Sequence, residues 1–502
     1  MPRHEQATII TGGQLLDIDD DLDRPPVSDL LIVGDCIVAT GPSASTQSAR
    51  YNSLRHIDAT GMLVIPGLIN AHYHSHDVML RGTFEQLPLD AWMLYSAPSC
   101  YPRPSPDRIA LRTRLGAAEC LLNGITTAQD MVSIVDADNE HLDAVINAYA
   151  DSGMRVMLAL QIADRNPIEC VPFWNEMPEA IRNRLPPAAS AAPFQTLIEN
   201  RIGQHPQARL HWGLGPSGPQ RCSDELLTWV ERVSRDQKLQ VFTHTYEARS
   251  QAVLARIAYP NESLIEHLDR FGLLNERLTI AHGVWISAEE IRRFGATGAN
   301  LACNPISNMK LLNGFAPVAQ YNQAGAGIGL GCDNCSGNDS QNLFQAMKMF
   351  ALLLGLYSDA GETGAAKAAF HAATIGGARA LGMADTLGRL KPGFRADLVM
   401  IDLAEAAYRP LNSVIRQLVY GESGKGVHTV MVDGEIVVDN HRLVTMRDAD
   451  LKNEAESWRL TLAEETRKVG ERNAAILKDI LAAYEKANRY PLDFDRYLVR
   501  QQ

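Results

Sequence analysis

Between residues 63 and 332 the chain repeats one pattern eight times, a short apolar segment of strand length followed by a stretch long enough for a helix. The strand candidates are 63–71, 125–129, 155–161, 210–214, 239–244, 278–282, 299–304 and 326–332, and segments such as 106–122 and 224–236 between them read as helices. Such alternation requires parallel strands joined by helical crossovers. Eight units, with the last helical stretch carrying the pattern to about residue 388, predict a closed (β/α)8 TIM barrel rather than an open doubly wound sheet. No Gly-x-Gly-x-x-Gly follows the first strand, which argues against a dinucleotide-binding fold.

The two ends of the chain resemble each other more than the middle. Leu30-Leu31-Ile32-Val33 and Cys36-Ile37-Val38-Ala39 read as strands near the start, and Ala396–Ile401 reads as one near the end. Thr429–Val432 and Glu435–Val438 flank Asp433-Gly434, a type I′ hairpin signal. Neither set buries a core alone, so both termini are expected to build one small β-sandwich domain around the barrel. Residues 448–488 are charged, Ala/Leu-rich and helical, a tail suited to packing or subunit contact. The expected division is 1–62, 63–388, 389–447 and 448–502. A run from Pro186 to Pro193 interrupts the third unit and is expected near the barrel mouth.

Hydrophobic residues make up 46% of the chain and charged ones 21%, the balance of an ordinary globular protein. A net charge of −12 argues against nucleic acid and anionic membrane partners, which want clustered Lys and Arg. Met1–Gln6 shows no apolar leader core, so a cytoplasmic location is expected. Eight scattered cysteines are too sparse for a disulfide framework. Cys332-x-x-Cys335 reads as a redox or zinc pair, or as two incidental cysteines around Asp333.

Barrel geometry places chemistry at the C-terminal ends of strands. The first candidate strand runs into His72 and His74, whose i, i+2 spacing aims both rings to one side. The fifth ends at His244, the sixth at His282, and the eighth at Asp333. Five metal-competent residues at four strand ends point to a divalent transition-metal centre. Glu247, three residues beyond His244, can reach beside such a centre as general acid and base. Its bland reading is an acidic residue opening the next helix.

These motifs carry a resemblance. Asn70-Ala71-His72-Tyr73-His74 with Arg81-Gly82 and Leu87-Pro88-Leu89-Asp90-Ala91-Trp92 is similar to the opening of the amidohydrolase superfamily. The branch it resembles holds the adenosine-type, S-adenosylhomocysteine and guanine deaminases with the s-triazine hydrolases. Asn304-Pro305-x-Ser307-Asn308-x-Lys310-Leu311, Ala378-Arg379-Ala380-Leu381-Gly382 and Gly388-x-Leu390-Lys391-Pro392-Gly393-x-x-Ala396-Asp397-Leu398 continue the likeness. It implies that His72, His74, His244 and Asp333 ligate one divalent metal, zinc or iron. His282 would stand at the metal edge, Glu247 would be the general acid/base, and Asp333 would also receive a proton. Dinuclear members bridge their metals with a fourth-strand lysine, and no lysine precedes Lys238 here.

The expected reaction is hydrolytic deamination of a nitrogen heterocycle of purine, pterin, pyrimidine or triazine type. The alternative is displacement of halide, alkylamine or thiolate from an activated ring. A non-catalytic barrel scaffold is the third reading, and it is at odds with a complete ligand set. Asn334, where purine deaminases of the branch carry glycine, is a substrate-contact candidate or a loop cap. Gln161, Asp164, Ser217 and Trp92 are pocket candidates by position, Arg81 and Trp92 serve equally as structural residues, and His76, which continues the strand alternation, is expected either to line the pocket or, more readily, to be a solvated loop histidine. The family's habit implies a homodimer or higher homo-oligomer.

Overall fold

The computed structural model describes residues 6–185, 187–204, 207–356 and 364–497. Residues 1–5 of the N-terminal stretch and Pro186 of the proline–alanine excursion lie outside them. Among the described residues eight parallel strands form the barrel: Leu68–His74, Ile125–Val132, Arg155–Ile162, Leu210–Pro216, Val241–Thr245, Leu278–His282, Asn300–Cys303, and an eighth in two pieces, Gly327–Leu330 and Asp333–Asn334. Each strand pairs with its successor. The ring closes because the eighth pairs through its first piece with the seventh and through its second with the first, Asp333 opposite Tyr73 and Asn334 opposite His74.

Two strand boundaries differ from expectation for physical reasons. The run 63–71 is not one strand. Met62–Pro66 belongs to the terminal sheet, pairing antiparallel with Leu398–Asp402, and Leu68–His74 alone enters the barrel. The switch falls at Gly67, where a Cβ would lie 2.2 Å from Thr126 Oγ1, so only glycine lets the chain pass so close to the second barrel strand. The eighth strand breaks at Gly331, where a Cβ would come within 2.1 Å of Asn304 Oδ1 and 2.9 Å of His72 Cβ. That break frees Asp333 to turn inward.

The barrel interior is lined by small side chains, Ala71, Ala159 and Ala302, with Met131, Met157 and Phe242, while residues of the helix Ile375–Ala380 pack against its lower end. Outside, helices such as Pro106–Leu122 and Asp224–Gln237 bury their apolar faces on the strands. Ser105 and Ser223 cap these helices by accepting the N–H of Arg108 and Leu226.

The termini form a continuous nine-stranded sheet rather than two separately paired layers. It bends so that Ile10, Leu30 and Ile32 from the start of the chain share one core with Leu398, Met400 and Met431 from its end. Its hairpin turns at Asp433 (φ 48°) and Gly434 (φ 74°), as the Asp-Gly pair predicted. This sheet is bolted to the lower barrel end by charge. Arg155, first residue of the third strand, meets Asp397 at 3.0 Å and Asp433 at 2.5 Å, and Arg209 meets Asp433 at 3.1 Å.

The tail is one helix, Asp448–Arg489. Its Ile476, Ile480 and Ala483 pack on Leu94, Ile168, Val171 and Met177, segments that flank the upper barrel mouth. Arg249 fastens its far end by donating to the carbonyls of Ala487 (3.2 Å) and Tyr490 (2.8 Å). Among the described residues no helix is long and apolar enough to cross a membrane.

Candidate active site

All five strand-end residues meet at the upper mouth. His72 and His74 lie at the end of the first strand, His244 near the end of the fifth, His282 at the end of the sixth and Asp333 at the eighth. Their ligand atoms form overlapping triads, His72–His74–Asp333, His72–His244–His282 and Glu247–His282–Asp333, each within 4.8 Å. The backbone is strained where it aims these groups: His282 has φ 74°, Asp333 φ 64° and Tyr246, next to Glu247, φ 52°. Non-glycine residues in that region cost about 1–3 kcal/mol each and persist only where their surroundings hold them.

Hydrogen bonds determine which nitrogens face the centre. His74 Nδ1–H donates to the Met131 carbonyl and His244 Nδ1–H to the Ser217 carbonyl, both at 2.6 Å. A carbonyl only accepts, so Nε2 of each ring carries a lone pair. Those two nitrogens stand 3.2 Å apart, and His74 Nε2 is also 3.2 Å from His72 Nε2. Asp333 Oδ1 lies 3.4 Å from Nε2 of both His72 and His74. A single proton cannot satisfy so many converging acceptors, whereas a divalent cation does, and this donor set is one that zinc and iron accept. Burial pushes His72 below its ordinary value, His74 to about 3 and His244 well below 6.5, keeping the rings neutral as ligation requires. Burial alone would raise Asp333, but the imidazoles facing it outweigh burial and hold its carboxyl well below the usual range.

Beside this focus stands a proton-handling triangle. His282 Nδ1–H donates to Asn308 Oδ1 at 2.8 Å, turning Nε2 toward Glu247 Oε2 at 3.5 Å and Asp333 Oδ2 at 3.9 Å. Two carboxylates and an imidazole nitrogen at these distances need at least one shared proton. Burial lifts Glu247 to about 7, which suits a group that takes and returns protons near neutral pH. Asn313 Nδ2 donates to Glu247 Oε1 at 3.1 Å, and the Glu247 N–H donates to Gln251 Oε1 at 2.7 Å.

A cavity of about 380 Å³ opens over the centre. Trp92 and Asn334 both line it. The Trp92 indole N–H is spent on Ser336 Oγ at 3.1 Å, so the ring offers a flat apolar wall. Asn334 precedes the short helix Cys335–Asn338, and its side chain makes no capping bond. Gln161 lines the wall with both ends of its amide taken, accepting from Ser133 Oγ (2.7 Å) and donating to Ser217 Oγ (2.9 Å).

Several positional expectations fail. Asp164 does not line the cavity; it accepts from the N–H and hydroxyl of Ser223 and steadies a helix start. Of the two readings of His76, the structure takes the pocket one: it lines the cavity, its Nδ1 accepts the Ser133 N–H at 3.2 Å and its ring packs 5.1 Å from His74. Cys332 and Cys335 are buried free cysteines, and Arg81 Nη2 and Gln341 Nε2 both approach the Cys335 sulfur. The sequence reading gave no role to Asn308, Asn313 and Gln251, which orient His282 and Glu247. Asp77 was missed too: it ties the first-strand loop to the eighth by accepting from the N–H groups of Cys335 and Ser336 at 3.0 Å. Asn308 sits in the quoted Asn304–Leu311 motif, the one signal that pointed at any of them.

Comparison with known proteins agrees with this geometry. Among curated relatives, a 5-methylthioadenosine/S-adenosylhomocysteine deaminase of Thermococcus kodakarensis is 32% identical over 382 residues, 76% of this chain and 84% of that protein. An adenosine deaminase structure from Xanthomonas campestris with bound zinc superposes with a TM-score of 0.79 at 26% identity, over 91% of this chain and 98% of the other. A triazine hydrolase of Arthrobacter aurescens does so at 0.80 and 25%, over 90% and 99%. The model of the amidohydrolase family matches residues 63–437, spanning the whole barrel and returning into the terminal sheet through Leu398–Asp402 and Val427–Val432. With the barrel, its strand-end donors and this match in agreement, the chain belongs to the amidohydrolase family.

Proposed function

We propose that this chain is a metal-dependent aminohydrolase that replaces the exocyclic amino group of an adenosine-type ring by oxygen from water, releasing ammonia. The observation that carries the reading is the convergence of His72, His74, His244 and Asp333 on one point, with Glu247 3.5 Å from His282 beside it. Those four residues would hold a single divalent ion, since the fourth strand supplies no lysine for a second. Zinc is favoured by the zinc in the adenosine deaminase neighbour, and iron is the alternative the ligand chemistry permits. When bound, such an ion supplies Lewis acidity and lowers the pKa of a bound water toward about 7.

The chain's own residues direct the rest. Glu247 takes one proton from the attacking water and delivers it to the ring nitrogen, and the second water proton, taken up by Asp333, goes to the amine as it departs as ammonia. His282, held through Nδ1 by Asn308, keeps Nε2 aimed at the same point and stabilises charge that develops on the ring. Trp92 and Leu89 wall off bulk water and present flat apolar surface to a heterocycle.

Metal analysis followed by a panel of aminated purine nucleosides, pterins, pyrimidines and s-triazines tests the proposal. One equivalent of metal per chain and ammonia released from adenosine-type compounds are expected. A metal-free protein, or one that releases ammonia from none of them, refutes it. A second reading, displacement of halide, alkylamine or thiolate from an activated azine, is supported by the triazine hydrolase likeness and by the apolar wall of Met93, Ile134, Val135 and Phe194. Release of chloride or alkylamine from the triazines, with none of ammonia from purines, would favour it. We further read the chain as cytoplasmic and as a homodimer or larger assembly; Leu460, 71% exposed on the tail helix, supports the assembly, and a monomer mass by light scattering would refute it.

A further inference from the structure

Beyond the tail helix, Phe494 to Tyr497 lie across the loops that follow the sixth and seventh barrel strands, and Arg496 makes the crossing. Its Nε–H donates to the Val284 carbonyl at 3.1 Å and its Nη2 to the Ile286 carbonyl at 2.7 Å. Its own carbonyl accepts the Phe315 N–H at 3.0 Å. The approach is close. A Cβ at Gly314, where φ is 95°, would lie 2.5 Å from the Arg496 carbonyl oxygen, so only glycine lets the two segments meet there. A guanidinium presents its N–H groups as a rigid planar fork, which fixes two carbonyls at once, whereas an ammonium is a single point on a flexible stem. Phe494 stacks 4.8 Å from this guanidinium, and the Tyr497 ring packs 5.0 Å from that of Trp285.

Both loops joined by Arg496 bear on Glu247. The N–H groups of Val284 (2.9 Å) and Trp285 (2.8 Å) donate to the carbonyl of Tyr246, the residue before Glu247, which is held at φ 52°. The Trp285 indole N–H donates to the Asn313 carbonyl at 2.6 Å, and Asn313 Nδ2 is the donor to Glu247 Oε1. The Asn313 N–H in turn donates to the carbonyl of Asn308, whose side chain orients His282. Val284, Trp285 and Ile286 are fully buried, so no solvent replaces a partner lost there. Arg496 itself does not line the cavity.

We propose that Arg496 is a positioning residue for the acid/base step. By joining the two loops it fixes the backbone that precedes Glu247 and the amide that holds the Glu247 carboxyl. Small displacements of a reacting group cost large factors in rate, so a residue remote from the cavity acts on turnover through this placement alone. The inference rests on the acid/base role given to Glu247 above, which deamination and displacement share.

The test uses the metal-loaded full chain and two variants, Arg496→Met and Arg496→Lys, on whichever compound of the panel the wild type turns over fastest. Arg496→Met is expected to lower kcat about 5- to 50-fold, with KM and metal content within about twofold of wild type. Arg496→Lys, which reaches one carbonyl at a time, should fall between the two. In a Glu247→Gln background Arg496→Met should cost less than about twofold, because the group it positions is gone; general loosening would cost the same factor in both backgrounds. Amide exchange over residues 245–248 and 283–287 should be about tenfold faster in Arg496→Met, with the third barrel strand unchanged. Unchanged kcat, equal losses in both backgrounds or unchanged exchange overturn the role of Arg496 and leave the proposed reaction intact. A wild type inert on every compound overturns the reaction, and exchange over 245–248 then decides whether Arg496 holds Glu247 in place.

Discussion

The two ends of the barrel strands use similar polar residues in opposite ways. At the lower end Arg155 and Arg209 face Asp397 and Asp433, and each charge has its opposite within 2.5–3.1 Å. At the upper end the triads contain only imidazoles and carboxylates, with lone pairs facing one another at 3.2 Å. The same strands join both: Arg155 opens the strand that runs up to Gln161 and Ile162. Such a network, in which Arg209 also meets Glu435 and Arg395 also meets Asp433, sets each charge against an opposite one and ties two sheets together. A cluster with excess donors is poor architecture and good chemistry, because only an added cation and a moving proton satisfy it. The stability of this protein is invested below and its reactivity above, the division that barrel enzymes show generally.

The sharpest way to break this contrast is Glu247→Gln. Turnover should fall about 10²- to 10⁴-fold, with metal content unchanged and the melting temperature unchanged or higher, since a buried carboxyl is replaced by a neutral amide. Ammonia-release kinetics and metal analysis check it; unchanged turnover refutes the assigned role. At the other end, Arg155→Ala leaves Asp397 and Asp433 buried beside each other and should destabilise the fold by about 3–5 kcal/mol. Chemical denaturation measures that loss, and kcat per folded molecule should stay within about twofold of wild type by the same contrast between the ends. A large kcat defect would show that the ends are coupled.

Smaller effects refine the upper end. Asn308→Ala removes the acceptor that orients His282 and should lower activity about 10- to 100-fold, while circular dichroism stays unchanged. Asp77→Asn tests the strut between the first-strand and eighth-strand loops through pH. Burial raises the Asp77 carboxyl from 3.8 to about 6. Its folded pKa thus lies above its unfolded one, so its contribution to stability is complete below 3.8 and is lost as pH rises through 6. Relative to the pH-independent Asn variant, the wild type should lose about 1.4 kcal/mol per pH unit between those values and no more above them. Parallel stability curves for the two proteins would refute this.

Much of the fold was legible because barrel strands and helices announce themselves by period. The 106–122 helix, the Asp433-Gly434 hairpin and the tail helix follow local rules of capping, turn chemistry and apolar spacing. The centre was legible for a different reason. Strand ends are positions readable from sequence, and His72, His74, His244, His282 and Asp333 occupy them. The switch at Pro66-Gly67 was hidden, because strands of two different sheets follow one another as a single apolar run. Asp164 and His76 resist placement from sequence because a polar side chain in a loop takes whichever partner the packing brings, here Ser223 and the Ser133 amide.

The sequence by itself determined the alternation that closes into a barrel, the residues that gather at its mouth and the helical tail, since each depends on local period or on position along a strand. Tertiary structure alone decided which imidazole nitrogens face inward, which amides orient His282 and Glu247, and which residue beyond the tail helix reaches the loops that carry those amides. Those outcomes depend on contacts between residues distant in the chain, and hydrogen-bond geometry at about 3 Å is not encoded in any pattern of neighbours.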